Sequence, residues 1–371
     1  MYSERVIHKF NPKVKQNSVT NLKDSANKSP DPYYILRGHN SYINSVVFDR
    51  WNPNILYSGS GDGELRIWDI QEKKCLESYP MAHRDSRGIL SMQSIKLSNG
   101  QSHLVTQGRD GTIKLWRCTE SQLTLVETLE TSSISLAKCS TFVASLGGTN
   151  QEGTPDINSS ANLLAMASDE LPSNVDLWDL NTKEVVVKCK PTNPSLLGVC
   201  MSLKLFSNPD SGHLNLLSGY ENGSIVLWDI RQPDKLLYTN KIHEEPVLAM
   251  DISGNKVVSG GGDTLLCQFS ITKSEDQTSN DDSFEILNKY QLPNQGISEI
   301  KIRPDKKIIA TAGWDHRVRI FNFKKHTPLA ILKYHEESVY TIDFNTNNIL
   351  ASASKDMRIA LWSIYNDNNT K

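Results

Sequence analysis

Apolar and polar positions alternate along most of the chain. The alternation is broken at recurring intervals by a small residue followed by Asp or Asn. Aligned on that break, LYSGSGDGELRIWD (56–69), LVTQGRDGTIKLW (104–116), LLSGYENGSIVLWD (216–229), VVSGGGDTLLCQF (257–269), IATAGWDHRVRIF (309–321) and LASASKDMRIALW (350–362) fall in register. In these six the turn Asp or Asn stands six residues before an aromatic: 62/68, 110/116, 222/228, 263/269, 315/321 and 356/362. A seventh copy, LLAMASDELPSNVDLWD (163–179), carries an insertion in its turn. Period-two alternation on both sides of a Gly-Asp or Asn-Gly pair predicts two antiparallel strands joined by a tight turn.

A further strand precedes most copies, as in YINSVVF (42–48), PVLAMDI (246–252), ISEIKI (297–302) and SVYTIDF (338–344). Another follows them, as in KKCLESY (73–79), EVVVKCK (184–190), FEILNKY (284–290) and PLAILKY (328–334). Each unit then holds four strands, and successive aromatics lie 41 to 62 residues apart. A four-stranded unit of about 40–45 residues is the WD40 blade of a β-propeller. After Trp362 only SIYNDNNTK remains, too short and polar for a fourth strand, whereas YYILRGH (33–39) stands spare before the first unit. The expected fold is all-β, a seven-bladed WD40 β-propeller over 32–365 closed by that N-terminal strand, which removes an open sheet edge. Residues 1–31 read as a flexible polar extension, 147–162 and 272–283 as disordered polar loops, and 366–371 as a polar tail.

Bulk properties narrow the partners. The net charge of −2 and pI near 6.5 give no global positive field for nucleic acid or anionic lipid. No apolar run is long enough to span a membrane, and the N-terminus MYSERVIHKFNPKVKQNS lacks the apolar core of a secretory signal. The six cysteines (75, 118, 139, 189, 200, 267) show neither metal-site nor disulfide spacing, and most read as buried free thiols, which favours a reducing compartment.

Histidines 39, 83, 243 and 335 suggest catalysis or metal binding, but the blade architecture offers them a structural task. A His before the innermost strand can bond a strand Ser or Thr, linking on to the turn Asp and the strand Trp. His39 with Ser58 or Ser60, Asp62 and Trp68 fits this, as do His83, Thr106, Asp110 and Trp116, and His335 with Ser352 or Ser354, Asp356 and Trp362. SGSGDG (58–63) and SGGGD (259–263) precede strands and lack the Lys-Ser/Thr of a phosphate loop. No nucleophile, base and orienting group can be assembled, so no catalytic residue, cofactor or metal is expected. What remains is the rim formed by the turns: Gly61, Arg109, Glu221, Gly262, Trp314 and Lys355. Trp and Arg are enriched at binding hot spots, so Arg109 and Trp314 lead the contact candidates, followed by Tyr220, His316 and Arg87. Trp314-Asp315 is a Trp-Asp pair at the turn rather than at the strand end, where Phe321 stands instead.

The last quarter, IRPDKKIIATAGWDHRVRIFNFKKHTPLAILKYHEESVYTIDF (302–344) followed by ASKDMRIALWSIY (353–365), goes beyond the general repeat. With RGILSMQ, QGRDGTIKLW, LGVCMSLKL, GYENGSIVLWD and HEEPVLAMD, it resembles the family of ASTRA-associated protein 1 and guanine nucleotide-binding protein subunit beta-like protein 1. The resemblance implies a non-catalytic scaffold in a nuclear, chromatin-linked ASTRA-like complex, with the cytoplasm as a second compartment. Its implied partners are the Tel/Tti co-chaperone, phosphatidylinositol-3-kinase-related kinases or a pseudokinase of that class, and RuvB-like AAA+ ATPases. The propeller itself would be a monomer within that hetero-complex, without direct nucleic-acid or membrane contact. The alternatives are a reader of histone tails or other peptides, with Glu221 and Trp314 lining its pocket, and a Gβ-like signalling adaptor. Residues 1–30 lack the heptads of a Gβ-type coiled coil, which counts against the latter.

Overall fold

Each alternating run becomes a strand, and each Asx turn the tip of a hairpin. The computed structural model describes residues 29–84, 88–97, 100–119, 121–133, 135–143, 162–209, 212–233, 236–273 and 282–365. Within them lie seven four-stranded antiparallel sheets. Blade 1 comprises Ile43–Phe48, Ile55–Ser60, Leu65–Asp69 and Lys74–Tyr79, from the channel outward. Blades 2 to 6 repeat the order over 89–130, 140–189, 200–241, 247–291 and 297–332. Blade 7 uses Val339–Phe344, Ile349–Ser354 and Arg358–Ser363, and takes its fourth strand, Tyr34–Arg37, from the start of the chain. Tyr34 pairs with Leu361 and Arg37 with Arg358, so the ring is closed by main-chain hydrogen bonds. The fold is a seven-bladed propeller.

Because blades stack face to face, the inner strands are covered on both sides while the outermost face water. Ile43–Phe48 is buried throughout, whereas Lys74–Tyr79 is half-exposed. The core is correspondingly divided into layers between neighbours; one unites Val47, Tyr57 and Ile67 of blade 1 with Ile89, Leu104 and Trp116 of blade 2. Beside the strand-end aromatic the register slips by one residue in six blades, before Trp68, Trp116, Trp178, Trp228, Phe269 and Phe321. Such bulges increase local twist, which suits strands that fan outward.

The innermost strands surround a cavity of about 250 Å³. Their edge N–H groups would be orphaned there, and side chains of the neighbouring blade accept them. Asp343 takes Phe48 N at 2.9 Å, Asp251 takes Ile302 N at 2.7 Å, and Glu299 takes Ile342 N at 2.9 Å. Burial alone would raise the pKa of Asp251 and Glu299. Lys204 and Lys301 beside the first, and Lys138 and Lys301 beside the second, bring them below the ordinary range. Lys204 Nζ lies 2.6 Å from Asp251, and Lys138 Nζ lies 3.3 Å from Glu299. Charge in the channel therefore stitches the ring together.

Three details depart from the sequence expectation. The polar stretch 272–283 is partly strand, since blade 5 runs through Lys273 and resumes at Asp282. Thr272 and Ser283 face each other across that pair at 3.1 Å, so hairpin pairing outweighs composition. The first strand of blade 3, Ser140–Val143, and a single helical turn, Pro194–Leu197, had no sequence counterpart. Finally, the described chain starts within the expected extension, with Ser29 Oγ donating to the Ile331 carbonyl at 2.7 Å. Residues 1–28, 144–161 and 366–371 lie outside the described residues, and with them most of the remaining extension, loop and tail.

Candidate partner-binding rim

Ten residues before each strand-end aromatic of the regular copies stands a buried Ser or Thr: 58, 106, 218, 259, 311 and 352. Its hydroxyl is the hub of the blade. In blade 7, Trp362 Nε1 donates to Ser352 Oγ at 2.9 Å, and His335 bridges Ser352 Oγ (2.8 Å) and Asp356 (2.8 Å). Blade 2 repeats this with Trp116, Thr106, His83 and Asp110 at 3.0, 2.8 and 3.1 Å. In blade 5, His243 joins Ser259 and Asp263, with Phe269 in the Trp position.

Blade 1 corrects the expected set. His39 Nε2 bonds Ser58 at 2.6 Å, but its Nδ1 meets Glu64 at 2.7 Å, not Asp62. Asp62 instead accepts from Ser60 Oγ at 2.5 Å. Burial pushes Glu64 upward, yet hydrogen bonds from His39, Arg66 and Ser78 hold its pKa at about 2. His83, by contrast, is lowered from its ordinary value because burial outweighs the pull of Asp110.

Blade 6 lacks the relay. Asn294 takes the place of the His and bonds Asp315 at 2.9 Å, while Arg319 forks onto both oxygens of Asp315 at 2.9 and 2.5 Å. Phe321 offers no N–H, and the buried Thr311 hydroxyl is left without a partner. Trp314 sits on the turn above, 40% exposed, its ring lying over Gly296. At φ 94° Gly296 is in the region that favours glycine, and any Cβ there would fall 2.2 Å from the indole. Trp314 N donates to the Gly296 carbonyl, and its own carbonyl accepts Ser338 Oγ at 2.8 Å. The turn is thus held from both flanks while the indole stays exposed.

The other rim candidates separate. Arg109, Glu221 and Lys355 are exposed, and His316 is half-buried. Lys355 Nζ approaches Glu337 at 3.5 Å, and Glu221 accepts Val199 N at 3.1 Å. Tyr220 is not a surface residue: it is fully buried, and its hydroxyl donates to the Ser173 carbonyl in the blade 3 turn insertion. Gly61 is buried beneath the Tyr42 ring, and Gly262 is half-buried. Arg87 lies outside the described residues. Glu221 and Trp314 belong to blades 4 and 6, with blade 5 between them in chain order. Exposed apolar residues that the sequence reading passed over include Met357 (42%) on the blade 7 turn and Leu196 (70%) on the helical turn. Met357 occupies the turn position where blades 1, 2 and 4 carry Gly, which was a signal available in the sequence. Among the described residues no group of three or more His, Cys, Asp or Glu could hold a metal ion.

The chain matches the WD domain, G-beta repeat model over 285–322 and 326–363, and the tRNA methyltransferase TRM82 WD40 domain model over 33–107. It is 33% identical over 347 residues to guanine nucleotide-binding protein subunit beta-like protein 1 of Mus musculus, covering 91% of this chain and 97% of that protein. The chain belongs to the WD40-repeat family of that protein and of ASTRA-associated protein 1. Family members named ASTRA-associated protein 1 include those of Schizosaccharomyces pombe (28% identity, 91% of this chain, 99% of that protein) and Penicillium rubens (26%, 86% and 82%). The similarity to the Mus musculus and Schizosaccharomyces pombe proteins covers 91% of this chain, and the WD40 propeller is a fold of protein–protein interaction.

Proposed function

We propose that the protein is a non-catalytic scaffold subunit of an ASTRA-like complex, working in the nucleus with the Tel/Tti co-chaperone in assembly of phosphatidylinositol-3-kinase-related kinases. The observation carrying this reading is near full-length similarity to proteins named ASTRA-associated protein 1. A scaffold role is supported by the use of His83 and His335 in blade hubs and by exposed rim side chains that suit contact. Trp314 and Arg109 are the contacts to test, because both are exposed on turns that the main chain holds in place. Trp314→Ala with Arg109→Glu should leave the melting temperature nearly unchanged and abolish co-purification of Tel/Tti proteins with the tagged chain. Parental co-purification by the double variant removes the rim from the mechanism. Absence of Tel/Tti proteins from the parental purification removes the complex assignment.

A further inference from the structure

The turn Asp or Asn is followed by Gly63, Gly111 and Gly223 in blades 1, 2 and 4, at φ 87°, 77° and 87°. Glycine enters this left-handed region freely, whereas a side chain there is strained. In blades 6 and 7 the same place is taken by His316 and Met357, each at φ 63°. Met357 is 42% exposed, and His316 Nδ1 is shielded from water without a hydrogen-bond partner. Seven other described non-glycine residues, among them Lys73, Lys183 and Lys306, share a positive φ, so it is exposure beside Trp314 rather than backbone angle that marks Met357.

The two turns form one surface. Ser338, on the loop between them, donates its hydroxyl to the Trp314 carbonyl and accepts Lys355 N at 3.0 Å through its own carbonyl. Trp314, His316 and Met357 are therefore held on either side of a single bridging residue. The charges there are nearly all matched within the chain. Asp315 holds Arg319, Asp356 holds His335, Glu336 meets Arg358 at 3.0 Å, and Glu337 meets Lys355 at 3.5 Å. The cation left over is Arg317, in the Trp314 turn, whose guanidinium has no partner among the described residues.

We infer that the blade 6 and 7 turns form a docking surface for a protein segment with a large apolar side chain flanked by carboxylates. The apolar group meets Trp314 and Met357, and a carboxylate meets Arg317. This deepens the scaffold reading by giving its rim a partner chemistry.

The test is selection of a display library of short random peptides on the full chain, with the Trp314→Ala, Arg317→Glu double variant as control, then anisotropy on the enriched peptides. Acidic sequences carrying Leu, Phe, Ile or Trp should be enriched. Their affinity should fall roughly tenfold or more in Trp314→Ala and in Arg317→Glu. His316→Gly with Met357→Gly should weaken binding while melting no lower than the parent, because the strain is relieved. That combination separates a binding role from a structural one. Enrichment of basic peptides, enrichment equal to the control, or unchanged affinity in the double-glycine variant would each overturn the inference. Because the probe is a peptide, the result is independent of whether Tel/Tti proteins co-purify.

Discussion

Ser352→Ala isolates the hub hydroxyl of blade 7. Ser352 is fully buried, its Oγ accepts the Trp362 indole N–H at 2.9 Å, and it meets His335 Nε2 at 2.8 Å. With His335 Nδ1–H donating to Asp356, the hydroxyl proton goes to Nε2, so one oxygen satisfies a donor and an acceptor. Alanine leaves both unpaired in a dry core, at about 1–3 kcal/mol each. Since they share one site, a total of about 2–4 kcal/mol is expected. For a propeller of this size, an unfolding entropy near 2 cal/mol/K per residue converts that to a fall of roughly 3–6 °C. Thr311 is the equivalent residue of blade 6, but Phe321 and Asn294 leave its hydroxyl without a partner. Thr311→Val removes an unpaired polar atom at constant shape and should raise stability by about 0.5–1 kcal/mol. Urea unfolding and thermal melts followed by circular dichroism measure both. Equal shifts in the two variants would refute the hub argument.

Acid should destabilise the fold from below about pH 6.5 downward. His83 and Glu64 both have folded pKa values below their ordinary ones, burial lowering His83 and the bonds from His39, Arg66 and Ser78 holding Glu64 near 2. The folded state therefore binds fewer protons, and stability present at neutral pH is lost as pH falls first through the histidine range and then from about 4.5 toward 2; a flat urea midpoint between pH 7 and about 3 contradicts this. Burial pushes the Cys118, Cys200 and Cys267 thiols up to about 12 and Cys139 to about 11, so native protein at pH 8 should label slowly with iodoacetamide and denatured protein quickly. Rapid native labelling of Cys200 would be inconsistent with its burial. Deleting residues 1–37 exposes the Arg358–Ser363 edge and should yield aggregated or oligomeric material on size exclusion, whereas deleting 1–28 should leave a monomer.

Much of the architecture was legible because its signals are local. The alternation, the Asx turns and the spare YYILRGH segment specify seven hairpin units and the strand that completes the last. The hub sets of blades 2 and 7 were legible for the same reason, since residue type and spacing narrow them to a few atoms. What the spacing left open was decided by neighbours distant in sequence. Ser58 and Ser60 share a strand face, and in the fold His39 meets Ser58 while Ser60 turns to Asp62. Glu64 displaces Asp62 because Ser78, from the outermost strand, converges on it together with Arg66, two residues along its own chain. Tyr220 sits beside a turn, which marks it for the surface, but the blade 3 insertion covers it and supplies the Ser173 carbonyl. The exposed Trp314 likewise depends on Gly296 and Ser338, brought to it from loops on either side. Local periodicity determines which residues are strand and turn. Which of them meet water or each other depends on how the blades pack, because a side chain's partners there come from other strands and other blades.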